Sequence, residues 1–401
     1  MQTAMNRSYW LNRFSVVQEG ANHLRFKDRL RPDHRTLPLR LFTGFEGRRQ
    51  EIELLRLGFI DPVMPAVLRP LADAPREAED TLFWQFPCRT EADAWLIHTR
   101  LEEAPYDGHD VHVYLGLPWA TWIDHQRNDS ALSQAKQEMR LQRVRLSGIR
   151  HALADAGAAL RVHTVCQHVY WRDFLPLWQE MGVTDLWLSH APPRRERSYG
   201  GMKLHPWRLF AVNVEDSARN AGLRAGVDPA SKALLASFVG AHADHYITMV
   251  RQQLLTLAGE PGFHIELTNK WHFEDVVYRH QVHHAPLQES YRIDDAVESY
   301  NRVLSDSVFS LCPAGAGPNT LRLWESLAVG AVPVLIGPAP EMPCGGTLEN
   351  IDWDGIVLRV TEKEVENLPM KLRSMRLEEV RMRQQRGMQA YAAVRQQRCF
   401  K

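Results

Sequence analysis

Residues 307–336, SVFSLCPAGAGPNTLRLWESLAVGAVPVLI, decide the fold of this chain. They read as a buried strand, a glycine-rich turn, an amphipathic helix and a second buried strand. A turn that opens a helix is how α/β proteins hold phosphate, because backbone N–H groups and the positive end of the helix dipole face the anion. The turn Gly315-Ala316-Gly317-Pro318-Asn319-Thr320 supplies close backbone approach at Gly315 and Gly317 and a helix cap at Asn319 or Thr320. Arg322 and Glu325 follow on one helical face. A guanidinium neutralises a diphosphate and a carboxylate one turn on accepts from ribose hydroxyls, so the segment suits a nucleotide-sugar. Set against that, the same residues can make a plain strand-to-helix turn and a surface ion pair.

Working outward, the segment resembles the C-terminal signature of exostosin-family glycosyltransferases. In that signature a Ser-x-Phe-x-Leu-x-Pro-x-Gly run leads to an Arg, an acidic residue and a Gly-x-x-Pro-Val. Here these are Ser307 to Gly315, Arg322, Glu325 and Gly330 to Val334. Met342-Pro343 and Leu348 to Trp353 look like the family's continuation. Ser310 and Ala331 stand where animal and plant members usually carry cysteines. The resemblance implies an α/β chain of two doubly wound, Rossmann-like domains facing a cleft (GT-B). It also implies inversion at the anomeric carbon, with Arg322 and Glu325 at the donor.

Composition is compatible. The chain has 401 residues, 44% hydrophobic and 24% charged, which exceeds a single core and predicts two domains. With 48 basic and 48 acidic residues it carries no basic excess, which argues against nucleic acid as a partner. The five cysteines are scattered without a CxxC, which argues against a disulfide framework or zinc site. No signal-peptide core opens the sequence and no run reaches the apolar length of a membrane span. A cytoplasmic enzyme is expected, peripheral on the inner membrane at most through its Arg-rich first 50 residues.

Strand-like runs at 81–86, 111–115, 160–165 and 185–188 alternate with helical stretches at 91–100, 130–155 and 171–181, the pattern of βαβ units. Residues 192–201 read as a linker, 206–213 and 234–240 as strands, 245–258 as a helix, 263–265 as a strand and 294–304 as a helix. Residues 355–360 read as a last strand, followed by a capping box at Thr361 and Glu364, and the tail from 370 to 395 as one long helix. The expected domains are 1–200 for the acceptor, 201–370 for the donor, and 371–401 as a helix packing back across the cleft.

Other candidates sit at strand ends. Gly240 and Arg251 flank the turn after the 234–240 strand and join the expected donor site. Trp119 and Trp122 offer aromatic faces to acceptor sugars, or else pack in the core. Asp124, His168 and His190 compete as the base that deprotonates the acceptor hydroxyl. His280, His283 and His284 tempt a metal reading, but without a nearby acidic pair they fit a solvated or substrate-facing group better. No Asp-x-Asp is evident, so the diphosphate is expected to be held by arginine and helix dipole, with no metal and no cofactor beyond the co-substrate.

The expected function is therefore a metal-independent glycosyltransferase that takes a UDP-sugar first, a GDP-sugar next. Its acceptor would be a glycan or lipid-linked oligosaccharide of bacterial capsule or O-antigen assembly. The rivals are a catalytically silent partner of the same fold in a synthase complex, and a sugar-phosphate epimerase or phosphorylase.

Overall fold

The computed structural model describes four strands before residue 55, then residues 85, 88–99, 111–127, 147, 150 and 159–399, with 218, 269–270, 272–294 and 345–347 outside the described set. The expected strand at 81–86, most of the helix at 130–155 and the histidines at 280–284 fall outside it. The chain divides into two compact units. The first holds residues 1–188, 196–205 and 398–401, and the second 189–195 and 206–397.

In the first unit the strands are β1 (Phe14–Gln18), β2 (His23–Asp28), β3 (Leu39–Phe45), β4 (Arg48–Leu54), β5 (Val111–Tyr114), β6 (Leu160–Cys166), β7 (Asp185–Leu188), β8 (Ser198–Tyr199) and β9 (Met202–Pro206). They form one sheet in the order β1-β2-β4-β3-β5-β6-β7-β9-β8. Pairing is parallel across β5, β6 and β7. Beyond β5 the sheet is mixed, with β3 antiparallel to both β5 and β4. Helices α1 (Thr90–Thr99), α2 (Trp119–Arg127) and α3 (Leu175–Glu180) accompany the parallel part. The expected helix at 171–181 begins as a tighter 3-10 turn, Trp171–Phe174, and becomes α-helical only from Leu175.

The second unit contains α4 (Val212–Glu215), β10 (Leu234–Ala241), α5 (Val250–Gln253), β11 (Phe263–Thr268), α6 (Asp295–Ser305), β12 (Ser307–Pro313), α7 (Leu321–Val329), β13 (Val332–Ile336), β14 (Leu358–Val360), α8 (Leu368–Arg373) and α9 (Leu377–Val394). Its five strands are all parallel, in the order β11-β10-β12-β13-β14. Both faces are covered, which is why β12 and β13 read as nearly continuous apolar runs. Phe309, Leu311, Val332, Val334 and Ile336 face Val250, Leu254, Leu368 and Leu372. Cys312 and Leu335 face Leu323, Trp324 and Leu327 of α7 and Ala390, Tyr391 and Val394 of α9. Each fully buried side chain of this kind is worth about 1.5–3 kcal/mol. Helix α7 stops at Gly330, whose φ of 79° is the left-handed conformation that glycine adopts without a Cβ penalty.

Four sequence expectations shift for local reasons. The helix expected at 245–258 starts only at Val250, because the Ile247 amide is spent on the Gly315 carbonyl and Thr248 Oγ1 accepts from the Val250 amide. Residues 207–211 leave the sheet, where Glu215 accepts from the Ala211 amide and from Arg208. The expected long tail helix is broken between α8 and α9, where Ser374 Oγ bonds back to the Lys371 carbonyl. In the expected linker, Arg194–Glu196 form a 3-10 turn and Ser198–Tyr199 pair with β9. The capping box is present: Glu364 accepts from both the amide and the hydroxyl of Thr361.

Candidate functional site

Strand order in the second unit reverses direction between β10 and β12: β11 lies on one side of β10, and β12 to β14 on the other. Open parallel sheets bind ligands at such a switch point, outside the carboxyl ends of the strands. Those ends are Gly240 and Ala241 on β10, and Pro313, Ala314 and Gly315 on and after β12.

Arg251, from α5, stitches these two ends together. Its Nη1 donates to Ala241 O at 2.6 Å, its Nε to Ala314 O at 3.1 Å and its Nη2 to Pro313 O at 3.5 Å. The guanidinium also lies 4.6 Å from the centre of the Tyr246 ring. A Cβ on Gly315 would stand 2.8 Å from Arg251 Nη2, so any side chain here would have to displace the guanidinium. Burial draws the Arg251 pKa down to about 10, Tyr246 pulling it back and Arg322 adding to the fall. The group is still cationic at neutral pH.

Arg322 comes from the first turn of α7, whose N-cap Thr320 accepts from the Leu323 amide at 3.4 Å. One Nη donates to the Val239 carbonyl on β10. The guanidinium stands over Phe238 and Tyr300, 4.8 and 5.0 Å from the ring centres. Among the described residues, neither arginine pairs with a carboxylate. A Cβ on Gly240 would lie 3.4 Å from Arg322 Nη2, so Gly240 borders the same guanidinium. Two cations, an aromatic floor and a helix N-terminus thus meet at the switch point. That arrangement suits a multiply charged anion.

Residues 206–375, most of this unit, match the family model of the exostosin GT47 domain. That segment is similar to the exostosin GT47 domain. Among curated proteins, a probable glucuronoxylan glucuronosyltransferase of Arabidopsis thaliana is 42% identical over 69 residues, 17% of this chain and 14% of that protein. A second protein of the same description and plant is 41% identical over 69 residues, 17% of this chain and 15% of that one. The match therefore spans about one seventh of these relatives. Among solved structures, the GtfA/B complex shares 14% identity at a TM-score of 0.32, over 59% of this chain and 51% of that chain. An α,α-trehalose-phosphate synthase (UDP-forming) from Burkholderia vietnamiensis shares 14% at a TM-score of 0.33, over 73% and 88%.

Within the matched segment, two residues of the expected donor site turn inward rather than toward an open site. Glu325 is 2% exposed; Oε1 accepts from the Asn213 amide at 3.1 Å and Oε2 from the Tyr300 hydroxyl at 2.6 Å. It therefore fastens α4 and α6 to α7, where an accessible ribose acceptor was expected. Asn319 is buried, donating to Ser189 O at 2.6 Å and accepting from Trp324 Nε1 at 2.8 Å. Gly317 lies inside the loop, its carbonyl accepting from the Gly315 amide. Three residues that sequence reasoning missed join the site: Tyr300, Tyr246 and His242. The one signal for His242 is its place at the end of the run 237–242, a strand passing into a small-residue turn.

Of the three base candidates, His190 belongs to the second unit and is half-buried. It follows Ser189, whose carbonyl is held by Asn319 of the signature loop and whose hydroxyl donates to Arg208 O. Asp124 and His168 belong to the first unit and pair with each other, Oδ1 to Nε2 at 3.0 Å. The Tyr170 amide donates to His168 Nδ1 at 3.1 Å, which fixes the Nε2–H tautomer pointing at Asp124. Both ring nitrogens are thus engaged. Gln85 Nε2 also donates to Asp124 Oδ2 at 2.8 Å. Beneath this pair lies Glu91, 2% exposed, accepting from the Ala120 and Gln167 amides. Burial pushes its pKa up to about 8; the amide bonds oppose that rise and Asp124 adds to it.

Trp119 and Trp122 are core residues, 0% and 6% exposed, and this corrects the alternative that they present faces to a sugar. Trp119 donates to Thr164 Oγ1 at 2.6 Å and meets Trp178 edge-on at 4.6 Å. Among the described residues, no helix is long and apolar enough to cross a membrane.

Proposed function

We propose that this protein is a glycosyltransferase of GT-B type that moves a sugar from a nucleoside-diphosphate donor to a glycan acceptor. One observation carries the reading: Arg251 and Arg322 converge, without carboxylate partners among the described residues, on the carboxyl ends of β10 and β12 inside the matched segment. The diphosphate sits there, and Arg322 with the N-terminal end of α7 stabilises the charge that grows as the sugar departs. Two guanidiniums and a helix dipole supply that countercharge, so the reading needs no divalent ion. A UDP-sugar is favoured and a GDP-sugar is next; the names of the plant relatives make a glucuronosyl donor the first to try.

The transfer is inverting in this proposal. The acceptor hydroxyl attacks the anomeric carbon opposite the diphosphate, its proton passes to a base, and the glycosyl–oxygen bond to the diphosphate breaks. His190 is the preferred base, because Asn319 ties the preceding residue to the signature loop. The Asp124–His168 pair is the alternative, and would first have to release the Tyr170 amide. The acceptor is a glycan or lipid-linked oligosaccharide of bacterial surface polysaccharide assembly, at the cytoplasmic side of the inner membrane. The internal position of Glu325 favours one rival, a catalytically silent partner of the same fold.

A thermal-shift series with UDP, GDP, dTDP and CMP tests the donor. A ligand at 100 times its dissociation constant adds about 2.7 kcal/mol of stability. Release of free nucleotide only when a glycan acceptor is present supports transfer. Release without acceptor, or no response to any nucleotide, sinks the proposal.

A further inference from the structure

His242 is the first residue after β10, immediately beyond Ala241, whose carbonyl Arg251 holds. Both ring nitrogens are shut off from solvent and neither has a hydrogen-bond partner among the described residues. Leaving a buried polar group unsatisfied is costly, so an imidazole with two such atoms is an expensive residue to keep for packing alone. Its surroundings are those of the anion site. The ring meets the Tyr246 ring edge-on at 5.9 Å, and the same Tyr246 carries the Arg251 guanidinium on its face at 4.6 Å. Downstream the chain folds back: the Tyr246 amide bonds to Ala243 O, and the Ile247 amide to Gly315 O in the signature loop. His242 is therefore enclosed between the end of β10 and the loop that opens α7.

We propose that His242 is a third direct contact to the diphosphate bound between β10 and β12, donating an imidazole N–H to a phosphate oxygen beside Arg251 and Arg322. This rests on the donor reading above and extends it to a residue outside the signature. No bond is made or broken at the ring; its part is binding, and discrimination of a nucleoside diphosphate from a nucleoside.

The test compares the intact wild type with His242→Ala, His242→Gln and Arg322→Ala, measuring calorimetric affinity for UDP, GDP, inorganic pyrophosphate and uridine. Unliganded melting temperatures confirm that each variant folds. The expected result is a loss of about tenfold or more in UDP or GDP and pyrophosphate affinity for His242→Ala, uridine unchanged. His242→Gln, which keeps an amide donor, should recover part of it. Equal losses for uridine and UDP would place the ring at the base and overturn the proposal. Unchanged affinity in His242→Ala with a large loss in Arg322→Ala overturns it while leaving the donor reading standing. A wild type that binds neither nucleoside diphosphate nor pyrophosphate overturns both.

Discussion

Arg251 reaches across the switch point of the second sheet to bond the Ala241 carbonyl at 2.6 Å, joining the end of β10 to the loop that follows β12. Two strands that are neighbours in the sheet but far apart in sequence are thereby locked at the place where a ligand would enter. The guanidinium does structural and electrostatic work with the same atoms. Three of its N–H groups hold backbone carbonyls while its charge stays at the site.

Replacing Arg251 should therefore cost stability as well as binding. Hydrogen bonds from a charged donor are worth about 1.5–3 kcal/mol, and Arg251→Ala leaves three carbonyls without their donor. We expect at least about 2 kcal/mol of destabilisation by urea denaturation, together with loss of nucleotide response. Arg251→Lys should recover only part, since one ammonium cannot span the three acceptors. A variant of wild-type stability would show that the stitch carries no load.

Gly315→Ala probes the same contact from the other side. The added methyl would lie 2.8 Å from Arg251 Nη2 and 3.6 Å from its Cζ. A flexible side-chain end would ordinarily move away, but this one is fixed by three carbonyls. The guanidinium should be displaced, with stability reduced by about 1–2 kcal/mol and nucleotide affinity lowered. Equal melting temperatures and nucleotide affinities in variant and wild type would mean that the loop yields freely.

Glu91 predicts a pH dependence of definite sign. In the folded chain the carboxyl stays protonated up to about pH 8, whereas unfolded it ionises above about pH 4.3. Between these values the native state holds the extra proton, so this group's contribution to stability falls as pH rises. Over the full window the loss is on the order of 5 kcal/mol, by the conversion of one pKa unit to about 1.4 kcal/mol. Glu91→Gln keeps a carbonyl oxygen for the Ala120 and Gln167 amides and cannot ionise. Denaturation at pH 5, 6.5 and 8.5 should show wild type weakening relative to the variant as pH rises. Parallel curves would mean that the buried carboxyl is already ionised.

How much of this was legible in the chain depends on the range of the interaction. The strand, turn, helix and strand of 307–336 are written in local periodicity and cap chemistry, and they occur as β12, α7 and β13. Arg322 was legible because a first-turn residue after a glycine loop points where the loop points. Glu325 was not: spacing puts it one turn from Arg322, but its burial is decided by Asn213, 112 residues away, and by Tyr300. Likewise Asp124 and His168 read as competitors, and only a contact across 44 positions makes them partners. Trp119 and Trp122 followed a strand toward the ligand-binding edge, yet α2 turns them into the core. The first sheet's mixed edge rests on strands before residue 55, whose Arg- and Pro-rich sequence gives only one clear alternating run.

Charge and shape are separable at Arg322. Its guanidinium is held by the Val239 carbonyl and lies over Phe238 and Tyr300, which leaves most of its five N–H donors for an anion. Arg322→Ala removes both cation and donors; if the group stabilises a departing diphosphate, turnover should fall by about 100-fold or more, mainly in kcat. Arg322→Lys keeps the charge but loses the planar fork and the aromatic stacking. It should retain more nucleotide affinity than alanine while remaining at least about tenfold slower than wild type. Because Glu325 and Tyr300 bond each other independently of Arg322, both variants should fold, which a melting curve verifies. Wild-type kcat in Arg322→Ala would remove the arginine from the reaction and favour the catalytically silent partner, whereas a change confined to KM would assign it to ground-state binding alone.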